Sequence, residues 1–211
     1  MQKDLPFCFI DNSKAFEKVK HAELFRMLEK LDIDGKNPRI IRNLYWGQTA
    51  SVRIEAEHND FKSNKRGVRH GCVMSPDLFN LYDEIILRNL HGISGLKITG
   101  ENLNTLRNAD DTVLIAESGE QLQKLLNAVV LESERMGLSL NVKKTECMVI
   151  SKKSSNPRCN LESKGEQIKQ VTKFKYLGYL ITSDCKWTSE ISKRIAMAKD
   201  TSQKYETNTD K

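Results

Sequence analysis

Apolar residues change their spacing several times along the chain, and each change predicts an element. Phe7-Cys8-Phe9-Ile10 is an unbroken apolar run of buried-strand character that closes on a carboxylate, Asp11. From His21 to Leu31 the spacing becomes helical, with Leu24, Leu28 and Leu31 on one face and Phe25 beside them, until Asp32-Ile33-Asp34-Gly35 breaks it. Pro38 opens another helix through Ile41, Leu44 and Tyr45. Thr49 to Glu55 alternates, with Ala50, Val52 and Ile54 on one side. It reads as a half-buried strand whose partner is Asp60-Phe61-Lys62, across a hairpin at His58-Asn59.

Ser75-Pro76 predicts a helix start, with Ser75 as N-cap, Pro76 at the first helical position and Asp77 complementing the dipole. Leu78, Leu81, Tyr82, Ile85 and Ile86 give that helix a wide apolar face. A hairpin around Asp110-Asp111 leads into the apolar strand Val113-Leu114-Ile115. A helix over about 120–136 follows, with a stripe of Leu122, Leu125, Leu126, Val129 and Val130, and Gly137 ends it. Thr145 to Ile150 is a strand, Ser151 to Ser163 a polar loop, and Val171 to Thr182 a hairpin. Ser189 to Lys199 is a short basic helix, beyond which 201–211 lacks apolar periodicity and is expected to be disordered. Strands and helices alternate without a strict βαβ rhythm, which predicts an α+β fold: a sheet with helices packed on one face.

Composition narrows the class. The 211 residues suffice for one domain with a real core. No apolar run approaches the roughly 20 residues that cross a bilayer, and no basic segment followed by an apolar core marks a signal peptide. The expected location is intracellular, nuclear or cytoplasmic. Cys8, Cys72, Cys147, Cys159 and Cys185 show no C-x-x-C and no histidine at metal-ligand spacing, so they read as reduced thiols without a zinc site. A net charge of +6 suits contact with phosphate backbones, though many soluble proteins share that balance.

The candidate chemistry centres on carboxylates. Asp110 and Asp111 stand side by side at a tight turn, where like charges repel unless a cation lies between them and a third acid. An acidic pair also serves simply to cap a surface turn. The third acid is Asp11, at the end of the first apolar strand. Around these acids the chain reads Phe-Ile-Asp-x-Ser-Lys-Ala-Phe-Glu at 9–17, Gly-Val-Arg-x-Gly-Cys-x-x-Ser-Pro at 67–76 and Ala-Asp-Asp at 109–111. Then come Gly-Leu-Ser-Leu-Asn-Val-Lys-Lys-Thr-Glu at 137–146 and Phe-Lys-Tyr-Leu-Gly-Tyr at 174–179. In this order the five blocks resemble the reverse transcriptase palm of LINE-type (non-LTR) retrotransposons, over about 7–194.

The resemblance implies a right-hand polymerase palm with an antiparallel sheet, and an RNA-directed DNA polymerase that extends a primer 3′-hydroxyl by two-metal nucleotidyl transfer. Its partners would be an RNA template, a DNA primer and deoxynucleoside triphosphates. Asp11, Asp110 and Asp111 would hold two Mg2+ ions, a hard cation that takes oxygen ligands. Lys144 would sit near the departing pyrophosphate as a general acid; a charged strand edge shared with Lys143 is the plain alternative. Lys14, Ala15 and Phe16 would meet the nucleotide, the first two through backbone N–H groups and Phe16 as a plate against a 2′-hydroxyl or else as a core residue. Arg69, His70 and Gly71 complete the nucleotide side, with Arg69 either at phosphate or a solvated charge. Phe174, Tyr176 and Tyr179 resemble a primer-gripping hairpin and are equally good core residues.

Departures from the pattern are Asn12, Glu17, His70, Asp77 and Asn108. With ten residues ahead of Asp11, the fingers are expected to be largely missing. The expected division is a partial palm-like domain over 1–194 and, over 195–211, the end of the basic helix with a disordered tail. The competing reading is a catalytically inactive nucleic-acid-binding remnant of such an element.

Overall fold

The computed structural model describes residues 3–30, 37–51, 53–55, 57–90, 92–109, 111–153 and 156–209. The expected break at 32–35, along with Leu31, Val52 and Asp110, lies outside them. The frame is a five-stranded sheet. Its strands are β1 (Leu5–Ile10), β2 (Thr105–Asn108), β3 (Asp111–Ile115), β4 (Glu146–Ile150) and β5 (Lys169–Gln170), in the spatial order β5-β4-β1-β3-β2. All neighbours are antiparallel except β4 and β5. The apolar run at 7–10 is therefore central, flanked on both sides, which is why it shows no polar alternation.

Alternation of side chains still sorts the sheet into two faces. Cys8, Ile10, Leu114, Ala116, Cys147 and Val149 form one core with Leu122, Leu125, Leu126 and Val129. That stripe belongs to α5 (Gly119–Arg135), one of six helices among the described residues, whose others are α1 (Ala15–Lys18), α2 (His21–Lys30), α3 (Asn37–Tyr45), α4 (Ser75–Arg88) and α6 (Thr188–Thr209). Ser118 caps α5 from an extended backbone, accepting from the Gln121 N–H, and Gly137 follows its end at φ 85. On the other face Phe9, Val113, Ile115 and Met148 are covered by a hairpin of β6 (Lys173–Tyr176) and β7 (Tyr179–Thr182). Phe174 of the hairpin stacks on Phe9 with ring centroids 3.8 Å apart. The expected one-sided helix layer thus holds, and a hairpin closes the opposite side. A second core joins α2 and α4 through Leu24, Met27, Leu28, Phe79, Tyr82 and Ile86.

Four local expectations change. Ser75 is the first residue of α4 rather than its cap, because its hydroxyl donates to the Arg69 carbonyl at 2.5 Å; Met74 takes the cap position. The 49–63 region is two short ladders, Thr49–Ala50 with Lys62–Ser63 and Arg53–Ile54 with Glu57–His58. Its inner turn falls after Ile54, where Glu55 adopts φ 56, and Thr49 and Ala50 are exposed. The 151–163 loop buries Cys159 and Leu161, held by Gln170, which accepts from the Cys159 N–H at 2.9 Å and donates to the Pro157 carbonyl at 2.7 Å. α6 continues to Thr209, past the end expected near Lys199. All five cysteines are free, and among the described residues no helix is long and apolar enough to cross a membrane.

Candidate active site

β1 and β3 deliver two of the acids to one place. Ile10 pairs with Thr112, so continuing the register by one residue sets Asp11 opposite Asp111. By alternation Asp11 follows Phe7 and Phe9, and Asp111 precedes Val113 and Ile115, which puts both carboxylates on the hairpin side of the sheet. The hairpin registers that charge: the Tyr176 phenol is pushed up first by burial and then by the nearby Asp111. Asn108 and Asp111 form the last pair of the β2–β3 ladder, with Ala109 at φ 54. Asp110 lies outside the described residues.

The block at 137–146 is zipped onto the segment after β1. Asn12 bridges Leu140, the Ser13 N–H donates to the Ser139 carbonyl at 2.9 Å, and the Asn141 N–H donates to the Asp11 carbonyl at 2.8 Å. The Asp11 N–H reaches the Thr145 hydroxyl at 3.3 Å. This zipper carries Lys144 to the rim of an open cleft of about 490 Å3 lined by Asp11, Lys14, Ala15, Phe16, His70 and Lys144, together with Ser13, Glu17 and Asn141. Six of the expected site residues therefore meet in one cavity. An adjoining recess of about 380 Å3 shares Phe16 and His70 and adds Arg69, Gly71 and Ser75.

Phe16 lies between the core and the cleft. One side of its ring stacks on Phe79 at 4.9 Å, in the core, while the residue lines both cavities. Lys14 takes a left-handed backbone conformation (φ 51) directly before α1. The Arg69 guanidinium donates to the Leu44 carbonyl at 2.8 Å and lies 5.8 Å over the Tyr45 ring. Of the hairpin aromatics, Phe174 and Tyr176 belong to the core, whereas Tyr179 is exposed with the Arg194 guanidinium 4.6 Å over its ring. Asn141 was not singled out by sequence, and Glu17 only as a departure from the family pattern. Glu17 sits 3.6 Å from the Lys14 ammonium and 3.9 Å from His70 Nε2. The signal for Asn141 was its place inside the 137–146 block.

The loop at 67–71 is strapped to α1 by backbone bonds. The Gly67 N–H donates to Val19 and the Val68 N–H to Phe16, both at 2.8 Å. Gly67 has φ +88, and a Cβ there would meet the Glu17 carbonyl oxygen at 3.2 Å. Gly67→Ala is expected to cost about 1–2 kcal/mol from the left-handed backbone alone, read as a lower urea midpoint at unchanged slope. A neutral result would mean that the loop is not held against α1.

The donor set at the strand ends fits a hard divalent cation, since it offers carboxylate oxygens without sulfur or imidazole. Among the described residues no group of three metal-binding side chains occurs, and Asp110, the third carboxylate by sequence, lies outside them.

Comparison with known proteins agrees with this geometry. Residues 1–181 match the family described as reverse transcriptase (RNA-dependent DNA polymerase). The Pol polyprotein of the type-2 retrotransposable element R2DM from Drosophila melanogaster is 30% identical over 189 residues, covering 83% of this chain and 18% of its own length. The RNA-directed DNA polymerase of the mobile element jockey from Drosophila funebris is 25% identical over 180 residues, covering 82% and 19%. The chain thus spans only a small part of each relative. Telomerase from Candida tropicalis, solved with a fragment of telomeric RNA, shares the fold with a TM-score of 0.64 at 15% identity, over 87% of this chain and 29% of that one. The chain belongs to the reverse transcriptase family, among the domains of LINE-type, non-LTR retrotransposons.

Proposed function

We propose that this chain is the palm of an RNA-directed DNA polymerase that extends a DNA primer on an RNA template. The observation that supports the reading is the register of Ile10 with Thr112, which, carried on by one residue, would set Asp11 against Asp111 at the ends of neighbouring strands. A cation held between such carboxylates would offset their mutual repulsion. Asp11, Asp110 and Asp111 would hold two Mg2+ ions, which supply activation of the 3′-hydroxyl and charge neutralisation at the leaving pyrophosphate. The chain's own groups do the rest. Phe16, backed by Phe79, presents a fixed plate to the sugar of the incoming nucleotide. Lys14 and Ala15 offer backbone N–H groups to phosphate, with His70 and Gly71 closing that side, and Lys144 holds a proton at the cleft rim for the departing pyrophosphate. Positioning of this kind supplies much of the rate in phosphoryl-type transfer.

The test is extension of a primed RNA template with deoxynucleoside triphosphates and Mg2+. Product that appears with Mg2+ and vanishes with EDTA supports the reading. Folded protein that binds template yet never extends it would sink it. One observation favours a second reading, an inactive nucleic-acid-binding remnant: Glu17 already pairs with the Lys14 ammonium and lies 3.9 Å from His70 Nε2, two groups that would otherwise face phosphate. That reading expects salt-sensitive RNA binding in EDTA, unchanged by Asp110→Ala.

A further inference from the structure

β2 is an edge strand with a single sheet neighbour, β3, and three of its four residues are exposed. It is nevertheless one arm of the hairpin that carries Asp110 and Asp111. An edge arm has no second ladder to fix it, so what holds it from outside matters. Arg107, paired across the hairpin with Thr112, makes that connection. Its guanidinium reaches α4, donating to Glu84 and, at 3.4 Å, to the Asn80 carbonyl, with Asp83 Oδ2 at 3.9 Å. Glu84 is itself held by Arg88 at 3.1 Å. The other end of α4 continues into the loop at 67–74 that lines the nucleotide side of the cleft. One arginine therefore ties the acid-bearing hairpin to the helix behind the nucleotide loop.

We infer that Arg107 is a positioning residue for the polymerase site, and that ionised Asp83 tightens its hold on the Asp110-Asp111 hairpin. The inference rests on the polymerase reading for its kinetic consequence, but not for its structural one.

Asp83 is an unusual counter-charge. It is 4% exposed, and its Oδ2 has no hydrogen-bond partner. Arg107 is near enough to attract it and too far to bond it. Burial pushes its carboxyl up to about 6, with Arg107 pulling the other way. The charged groups on the packed elements are otherwise engaged. Glu84 and Arg88 flank Asp83 on α4 and bind each other; on α5, Glu132 accepts from Asn89 and pairs with Arg135; on α2, Glu23 pairs with Arg26.

The sign of this titration separates positioning from stability. A carboxyl raised on folding holds its proton more tightly in the native state than in the unfolded chain. Its contribution to stability is greatest below the ordinary carboxylate range and is lost as pH rises through about 6. The pull on Arg107 runs the other way, absent when Asp83 is protonated and present when it is ionised. A merely structural role would make the hairpin follow global stability. The positioning role makes the hairpin tighten while global stability falls.

The experiment compares the chain with Arg107→Met, Arg107→Lys and Asp83→Asn by amide hydrogen exchange and by primer-extension kinetics, from well below to well above pH 6. Above that pH, Arg107→Met is expected to speed exchange of the amides at 106–108 and 112–115 about tenfold, without a matching change across α5. It should lower kcat about tenfold, as a misplaced hairpin does, with KM for the nucleotide changed less than about twofold. Arg107→Lys should recover part of both. Asp83→Asn should abolish the step near pH 6 in hairpin exchange and, because it removes a buried charge, should fold at least as well as the parent above that pH. Unchanged hairpin exchange in Arg107→Met, or a step that persists in Asp83→Asn, would overturn the inference whether or not extension is seen. If no variant extends a primer while the exchange results hold, the polymerase reading fails and the clamp stands.

Discussion

Asp11→Ala is expected to lower primer extension by about a thousandfold or more while leaving the fold intact, because it removes an oxygen ligand from the centre that neutralises the transferring phosphate. The same substitution should not destabilise the metal-free protein. Continuing the register one residue past Ile10 and Thr112 would set Asp11 against Asp111, and removing one of two like charges across a strand pair returns about 0.2–1 kcal/mol. Activity lost with stability retained or gained is the signature of a residue kept for chemistry rather than for packing. A second measurement sharpens this. On the proposed reading Mg2+ would bind only the folded site, so it should raise the thermal midpoint of the parent in proportion to its occupancy, and should do so less in Asp11→Ala and Asp110→Ala. A variant that extends primers like the parent would remove Asp11 from the site. A loss of several kcal/mol would instead make Asp11 a structural residue, with its register to Asp111 incidental.

The parts of the fold legible in the sequence are those where burial repeats with a regular period. Phe7-Ile10, Val113-Ile115 and Cys147-Ile150 are apolar on both faces because α5 covers one side of the sheet and the β6–β7 hairpin the other. The stripe of α5 is legible for the same reason. Where periodicity misled, a local or tertiary contact had won. Ala50, Val52 and Ile54 alternate, yet the positive φ of Glu55 turns the chain early and leaves two short ladders with an exposed outer pair. Ser75 is a good capping residue whose hydroxyl the Arg69 carbonyl takes instead. The polar look of 151–163 concealed Cys159 and Leu161, since their burial depends on Gln170 of a later strand.

The site divides along the same line. Asp11, Phe16, His70 and Lys144 were legible as short blocks, and the cleft brings them together. Arg69 reads as a phosphate contact or a solvated charge in its block, and its partners on α3, a carbonyl and an aromatic ring, gave no signal in the sequence. Asp83 and Arg107 gave no signal. An acid on an amphipathic helix looks solvated until an arginine from a distant strand is found beside it.

Leu114→Ala carries the largest expected structural cost and tests the assignment of the sheet's faces. Leu114 is wholly buried in β3, paired with Cys8 on one side and Thr105 on the other, and packs in the core that includes Leu122 and Leu126. Deleting its side chain beneath a sheet fixed on both edges leaves a space the neighbours cannot close. The expected loss is about 2–5 kcal/mol, a large share of the roughly 5–15 kcal/mol that holds a domain together. Leu106→Ala on the edge strand β2, where the side chain is 42% exposed, should cost no more than about 0.5 kcal/mol. Urea unfolding followed by circular dichroism gives both from the midpoint at constant slope. β3 begins at Asp111, so the cavity lies under the strand that presents one of the site's acids. Leu114→Ala should therefore also weaken the rise in midpoint that Mg2+ gives the parent. Equal, small costs for the two leucines would mean that Leu114 does not face α5, and the parity that places Asp11 and Asp111 on the opposite side would fall with it.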